Sequence, residues 1–268
     1  MPSISPQRAA IRSGNLLFVS GIGGWYAARR AEFAGVGHPL VYLIGDNEWV
    51  DCRSHDPSER LARLRELFAR PGSGSLGGRV MALDRQVGWP ENARWEMRGV
   101  TFVAINAVGS NNGWGADSVP TGEWRERNRA NVAWLRESFA VAREGNAPGL
   151  AVFLHGNPLR PAASRGGRPD GFGELMAELR SLAVAFGRPV ALVHGDSHYF
   201  RVDKPFTDPA TGRVLARITR AETFGDPDGH WLSMRVDPQD PDVFSFAPVL
   251  VPGNVAGETD LTNRGARP

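Results

Sequence analysis

The chain has 268 residues, is 41% hydrophobic and carries a formal net charge of +2. That length supports one sizeable core or two small ones, and no apolar run approaches the roughly 18 residues that span a bilayer. Of the 31 basic residues only Lys204 is lysine, and the arginines are mixed with acids rather than set in blocks, which argues against a nucleic-acid surface.

The segment from Met1 to Asn15 is polar and lacks the apolar stretch of a signal peptide. As written, the chain is expected in the cytoplasm; a true start further upstream would leave room for an export signal. Residues 1–15 read as a poorly ordered N-terminus, 16–252 as one domain without an internal repeat or dividing linker, and 253–268 as a frayed tail. Leu16–Val19 predicts a first strand, followed by Ser20-Gly21-Ile22-Gly23-Gly24 and a short helix over Tyr26–Phe33. Leu40–Ile44 predicts a buried strand running into Gly45-Asp46-Asn47-Glu48. Leu61, Leu64, Leu67 and Phe68 recur at helical spacing behind Pro57, which suits a first helical turn. The Gly/Ser-rich stretch from Pro71 to Gly78 is loop.

Val100–Val108 predicts a strand that ends in Gly109-Ser110-Asn111-Asn112-Gly113. A long helix is expected over Glu123–Arg143. Leu150–Leu154 reads as a strand running into His155-Gly156-Asn157-Pro158. A further helix over Phe172–Phe186 is stopped by Gly187 and Pro189. Val190–Val193 then runs into His194-Gly195-Asp196-Ser197-His198. Shorter strands follow at Val214–Thr219, His230–Val236 and Val243–Phe246, separated by turn signals such as Asp226-Pro227-Asp228-Gly229. Buried strands alternating with helices, then a meander, indicate a layered α/β fold.

Three strand ends therefore carry Asp, Asn and His where folding alone gives no reason for them. Hydrolytic metal sites need oxygen and imidazole ligands held rigidly, with room for water or substrate. Loops at the carboxyl ends of buried strands converge on one crevice and meet that need. In extended backbone, His194, Asp196 and His198 would point to the same side, with His155 and Asp46 arriving from neighbouring strands. Each alone has a structural alternative: Asp46 and Asn47 could close a turn, and His155 could be an ordinary core residue. His38, His55 and His230 lack such a context. Cys52, the single cysteine, excludes an internal disulfide and reads as an inert buried thiol. Trp49, Trp114, Asn111 and Asn112 fit either the wall of a crevice or plain packing. Gly21-Ile22-Gly23-Gly24 fails as a dinucleotide loop because Tyr26 stands at the last required glycine. Gly195-Asp196-Ser197-His198-Tyr199 lacks the closing glycine of a serine-hydrolase elbow.

These segments resemble the calcineurin-like metallophosphoesterases. Gly45-Asp46-Asn47-Glu48 is similar to the family's third motif, Gly-Asn-His-Glu/Asp. His155 matches the fourth, and Gly195-Asp196-Ser197-His198 resembles the fifth, Gly-His-x-His. The longer runs from Gly45 to Cys52 and from His194 to Pro205 resemble a bacterial and fungal branch carrying these variants. The resemblance covers residues 25–250. It implies an α/β fold, a layered sandwich of two mixed β-sheets flanked by helices, with one or two divalent ions (Mn, Fe, Zn or Mg) acting on a small-molecule phosphoester. By motif, Asp46, His155 and Asp196 would hold one metal and His198 would belong to the other. Asn47 stands where the family has its general-acid histidine, and an amide donates a hydrogen bond but delivers no proton at neutral pH. The family's first two motifs, Asp-x-His and Gly-Asp, have no counterpart before Gly45, so an N-terminal strand and the bridging carboxylate are expected to be missing. The resemblance thus implies a metal-dependent phosphoester hydrolase, truncated or of reduced activity, or else a non-catalytic relative that binds one metal or a ligand.

Overall fold

The computed structural model describes residues 7–11, 22–52, 55–115, 121–160, 169–225 and 229–255. Its larger sheet has seven strands: β2 (Asp84–Gln86), β3 (Trp89–Met97), β4 (Val100–Ala104), β5 (Leu150–Phe153), β6 (Val190–His194), β7 (Arg201–Asp203) and β8 (Ile218–Glu222). Their order is β2-β3-β4-β5-β6-β8-β7. The four neighbours β4, β5, β6 and β8 are parallel to one another, and β2, β3 and β7 add antiparallel edges. A smaller antiparallel sheet of three strands joins β1 (Gln7–Ile11), β9 (Trp231–Val236) and β10 (Phe244–Val249).

β4, β5 and β6 are buried at every position, because both faces of the sheet are covered. Alternate side chains serve different layers. Val103, Val152 and Leu192 pack with Leu135 and Phe139 of α3 (Thr121–Glu144) and with Leu175 and Leu179 of α4 (Gly173–Phe186). Phe102, Ala151 and Val193 face the other way, against Leu232, Met234 and Phe244 of the small sheet. The order is therefore helices, large sheet, small sheet, the layered α/β arrangement expected from the sequence. A third cluster joins Tyr26 of α1 (Ile22–Ala34) and Leu61, Leu64 and Phe68 of α2 (Pro57–Phe68) to Ile44, Trp49 and Val50.

Local signals explain the helix limits. Asp56 accepts the Ser58 N–H at 2.9 Å and Pro57 opens α2, an N-cap followed by a proline whose missing N–H costs nothing there. Gly187 ends α4 at φ 67° and donates to the Ala183 carbonyl, a left-handed stop that glycine adopts without steric penalty.

The sequence expectation fails at Leu40–Ile44, which is not a strand. Leu40 makes an isolated antiparallel bridge to Leu76 and the backbone beyond it is irregular. Leu40, Tyr42 and Ile44 pack with α1 and α2, while Leu43 packs against the cluster between the two sheets, so the run is buried without belonging to a strand. Strands β2, β3 and β7 were not expected, and Gln7–Ile11, placed ahead of the domain in the sequence reading, forms β1. The expected strand at Leu16–Val19 and the tail beyond Val255 lie outside the described residues. Among the described residues, no helix is long and apolar enough to cross a membrane.

Candidate metal centre

Because β4, β5, β6 and β8 run in the same direction, the segments leaving their carboxyl ends meet along one edge. The turn Gly109–Asn112 lies beyond β4, His155 beyond β5 and Asp196 beyond β6, while Glu222 ends β8. Asp46 arrives from the irregular segment that follows Leu40.

At this edge Asp46, His155 and Asp196 each offer one ligand atom, all within 4.8 Å of one another. Nδ1 of His155 lies 3.7 Å from Oδ1 of Asp46. Asp46 and His155 are buried, at 5% and 7% exposure. Gly109 fits tightly between the carboxylates: a Cβ there would stand 2.2 Å from Oδ2 of Asp46 and 2.5 Å from Oδ1 of Asp196. Its N–H donates to Nδ1 of His155 at 3.3 Å.

Several donors hold the carboxylates in place. The Ser110 hydroxyl lies 3.1 Å from Oδ2 of Asp46 and 2.8 Å from Oδ2 of Asp51. Asn47 gives its backbone N–H to Oδ1 of Asp46 at 3.0 Å, and Asn157 gives its own to Oδ2 of Asp196 at 3.4 Å. Burial pushes the Asp46 carboxyl above its ordinary range; the His155 imidazole works against that rise, while the negative charges of Asp196 and Asp51 add to it. Two carboxylates and an imidazole facing one point, with burial and like charge opposing ionisation, form a set that a divalent cation neutralises. Oxygen and imidazole donors suit Zn, Mn, Fe or Mg and do not single one out.

The loop carrying Gly109 and Ser110 is bent into an uncommon shape. Ser110, Asn111 and Asn112 have φ of 51°, 58° and 57°, followed by Gly113 at 71°, so four successive residues sit in the left-handed region. A buried cation holds this turn. Arg127, with no exposed surface, donates to the Asn106 carbonyl at 3.1 Å, to Oδ1 of Asn112 at 2.5 Å and to the Asn112 carbonyl at 2.8 Å. It also pairs with Glu123 at 2.7 Å and lies over the Trp49 ring. Asn112 in turn accepts from the Val108 N–H and donates to the Gly171 carbonyl. Asn92, Asn106 and Asn131 extend this polar layer under the sheet.

The structure brings together Asp46, His155 and Asp196. It does not bring His198 to them among the described residues; the His198 ring packs against Gly225 instead. The expected alignment of His194, Asp196 and His198 on one side is also corrected. β6 stops at His194, Ser197 N–H turns back to the Gly195 carbonyl, and Asp196 and His198 take φ of 74° and 58°. That backbone is not extended, so spacing by two no longer aligns side chains. His194 points into the interior at 2% exposure, and burial drives its pKa down to about 4. Asn47 is half-buried beside Asp46.

Of the other residues weighed from the sequence, Trp49 and Asn112 are packed inside, and Trp114 stacks on Trp124 at 4.0 Å. Cys52 is buried with its sulfur 3.7 Å from the exposed His55, His38 is exposed, and His230 accepts the Val251 N–H. Sequence reasoning missed Gly109, Ser110, Arg127 and Asn157 as parts of the site. The Gly-Ser-Asn-Asn-Gly run was a usable signal for the first two, since Asn and Gly tolerate left-handed backbone best; nothing in the sequence marked Arg127.

No family model matches the sequence, and no curated protein matches it. Among solved structures, one of PhoD is similar over 69% of this chain, at 10% sequence identity and a TM-score of 0.43. The chain corresponds to 43% of the length of that structure.

Proposed function

We propose that the protein is a metal-dependent phosphoester hydrolase of the calcineurin-like kind. The observation that carries this reading is the buried group of Asp46, His155 and Asp196, with ligand atoms within 4.8 Å at the carboxyl edge of a parallel sheet. The motif resemblance of the three segments that supply these residues supports the substrate class. A bound divalent ion would supply Lewis acidity toward a phosphoryl oxygen and make water a stronger acid. Asp46, His155 and Asp196 would hold it. Ser110 and the Asn47 N–H fix the Asp46 carboxylate, and the Asn157 N–H fixes that of Asp196. The half-buried Asn47 amide is the group we assign to hydrogen-bond a phosphoryl oxygen; it orients substrate and moves no proton. Protonation of the leaving group then falls to water.

A second reading is a domain that keeps the cation and does not hydrolyse. It is favoured by one observation: His198, the residue expected to serve a second ion, is not part of the group of ligand atoms within 4.8 Å of one another, and its ring lies against Gly225. The two readings are separated by measuring metal content and hydrolysis together. Purified protein is loaded with Mn, Zn, Fe or Mg and assayed against p-nitrophenyl phosphate and bis-p-nitrophenyl phosphate, with Asp46→Asn as control. The first reading expects bound metal and turnover that the substitution abolishes. Bound metal without turnover selects the second, and protein that takes up no metal and is unchanged by chelator refutes both.

A further inference from the structure

We propose that Glu222 is a positioning residue: it joins the loop that carries His155 to the loop that carries Asp196, and so holds both ligands toward one cation. The proposal rests on the reading of Asp46, His155 and Asp196 as metal ligands. Beyond β5 and β6 a backbone bond links the two loops, from the Gly195 N–H to the His155 carbonyl at 3.0 Å. The rest of the connection runs through side chains and closes on Glu222. Asn157, buried in the first loop, gives its backbone N–H to Oδ2 of Asp196 at 3.4 Å. Its Nδ2 donates to Oγ of Ser197 at 2.6 Å and to Oε1 of Glu222 at 3.4 Å. Its Oδ1 accepts the Leu159 N–H at 3.0 Å, which fixes the direction of the amide.

Glu222 ends β8 with no exposed surface. Its Oε2 accepts Nε and Nη2 of Arg201 at 3.2 and 2.9 Å. β7 runs antiparallel to β8 with Arg201 opposite Glu222, so the guanidinium meets the carboxylate from the edge strand. Burial pushes the Glu222 carboxyl above its ordinary range, while hydrogen bonds from Arg201 and Ser197 work against that rise. A buried carboxylate is costly unless it is paired and hydrogen-bonded, and here both oxygens are engaged in different directions. Pairing with Arg201 needs only Oε2. Oε1 serves Asn157, whose own N–H holds Asp196. A glutamine cannot serve both, because turning its oxygen to one partner turns its NH2 group onto a donor at the other.

The test uses that mismatch and its repair. Competition with a chromophoric chelator should show Zn affinity about 10- to 100-fold weaker in Glu222→Gln. Combining Glu222→Gln with Asn157→Asp exchanges donor and acceptor: the glutamine oxygen faces Arg201, its NH2 group meets the new carboxylate, and net charge is unchanged. That double variant should recover most of the lost affinity. Amide hydrogen exchange of the metal-free protein separates a local role from general destabilisation. In Glu222→Gln the Asn157 and Gly195 N–H groups should exchange about tenfold faster, a larger change than at Val152 and Leu192 in the strands. Wild-type Zn affinity in Glu222→Gln, or a double variant that binds no better than Glu222→Gln, overturns the proposal. If Glu222→Gln does not fold, the double variant decides: folding with near wild-type Zn affinity supports the proposal, and weak binding or failure to fold overturns it. A wild type that takes up no Zn, Mn, Fe or Mg refutes the metal reading. Exchange then still decides whether Glu222 joins the loops, equal acceleration in loops and strands overturning that role.

Discussion

Gly109 offers the sharpest test of the metal centre, because one methyl group should remove the site and leave the fold. A Cβ at this position would lie 2.2 Å from Oδ2 of Asp46 and 2.5 Å from Oδ1 of Asp196, whereas ordinary contact begins near 3.4 Å. Both oxygens would have to retreat by about 1 Å. Metal–ligand distances are held to about 0.2 Å, so neither carboxylate could remain a ligand. Gly109 lies outside the left-handed region, which leaves overpacking as the main cost to the metal-free protein, about 1–3 kcal/mol. A cation at a hundredfold its dissociation constant stabilises wild type by about 2.7 kcal/mol. For a domain near this size that corresponds to roughly 5–10 °C in Tm. The assay is thermal unfolding with and without Mn or Zn, in Gly109→Ala and in Gly122→Ala, where a Cβ meets nothing within 4 Å. The expected result is a full metal shift in Gly122→Ala and about none in Gly109→Ala. A wild-type shift in Gly109→Ala would refute the assignment of Asp46 and Asp196 as joint ligands.

Two further predictions concern the frame around the site. Burial lowers His194 from 6.5 to about 4, so the folded state binds fewer protons than the unfolded chain between those values; its contribution is full above pH 6.5 and is lost as pH falls through 4. At 1.36 kcal/mol per unit this amounts to about 3 kcal/mol, and urea unfolding across pH 4–7 should show a steeper loss for wild type than for His194→Gln, parallel profiles counting against it. Arg127→Met removes its donors from Glu123 and from the Asn112 carbonyl, and leaves Oδ1 of Asn112 with the Val108 N–H alone; it should cost about 3–5 kcal/mol. Metal affinity should fall as the turn relaxes; stability within 1 kcal/mol of wild type, on the scale of an ordinary surface change, would contradict the role given to this cation.

The sequence made the large sheet readable where burial and strand pattern coincide. β4, β5 and β6 are short apolar runs bounded by turn residues, and α3 and α4 between them have the length and spacing of crossover helices. Leu40–Ile44 misled for the same reason: an apolar run of five does not distinguish a strand from a segment packed on helices. β3, Trp-Pro-Glu-Asn-Ala-Arg-Trp-Glu-Met, was illegible because its buried positions include Glu91, Asn92 and Arg94. Those groups are satisfied by partners from distant segments, such as Arg65 for Glu91 and Asn131 for Asn92, which no local pattern encodes. The site followed the same rule. Asp46, His155 and Asp196 could be picked out because each follows an apolar run, but the left-handed backbone at Asp196 and His198, which breaks the expected alignment after β6, could not.

The turn from Gly109 to Gly113 ties these threads together energetically. Left-handed backbone costs a non-glycine residue roughly 1–2 kcal/mol, less for asparagine, and Ser110, Asn111 and Asn112 all adopt it. Buried carboxylates at Asp46 and Asp196 add a desolvation cost that grows as both ionise. Neither cost serves the core, since the hydrophobic clusters close without this turn. What the turn achieves is local: it sets Gly109 against both carboxylates, gives its N–H to His155 and places the Ser110 hydroxyl between Asp46 and Asp51. Arg127 and its polar layer supply the offset from the far side of the sheet edge. A cation would relieve the carboxylate repulsion directly and leave the backbone strain untouched. Its stabilising effect should therefore persist in variants that relax the turn only where the Gly109 contact survives, which makes that contact, rather than the strain, the structural link between fold and metal.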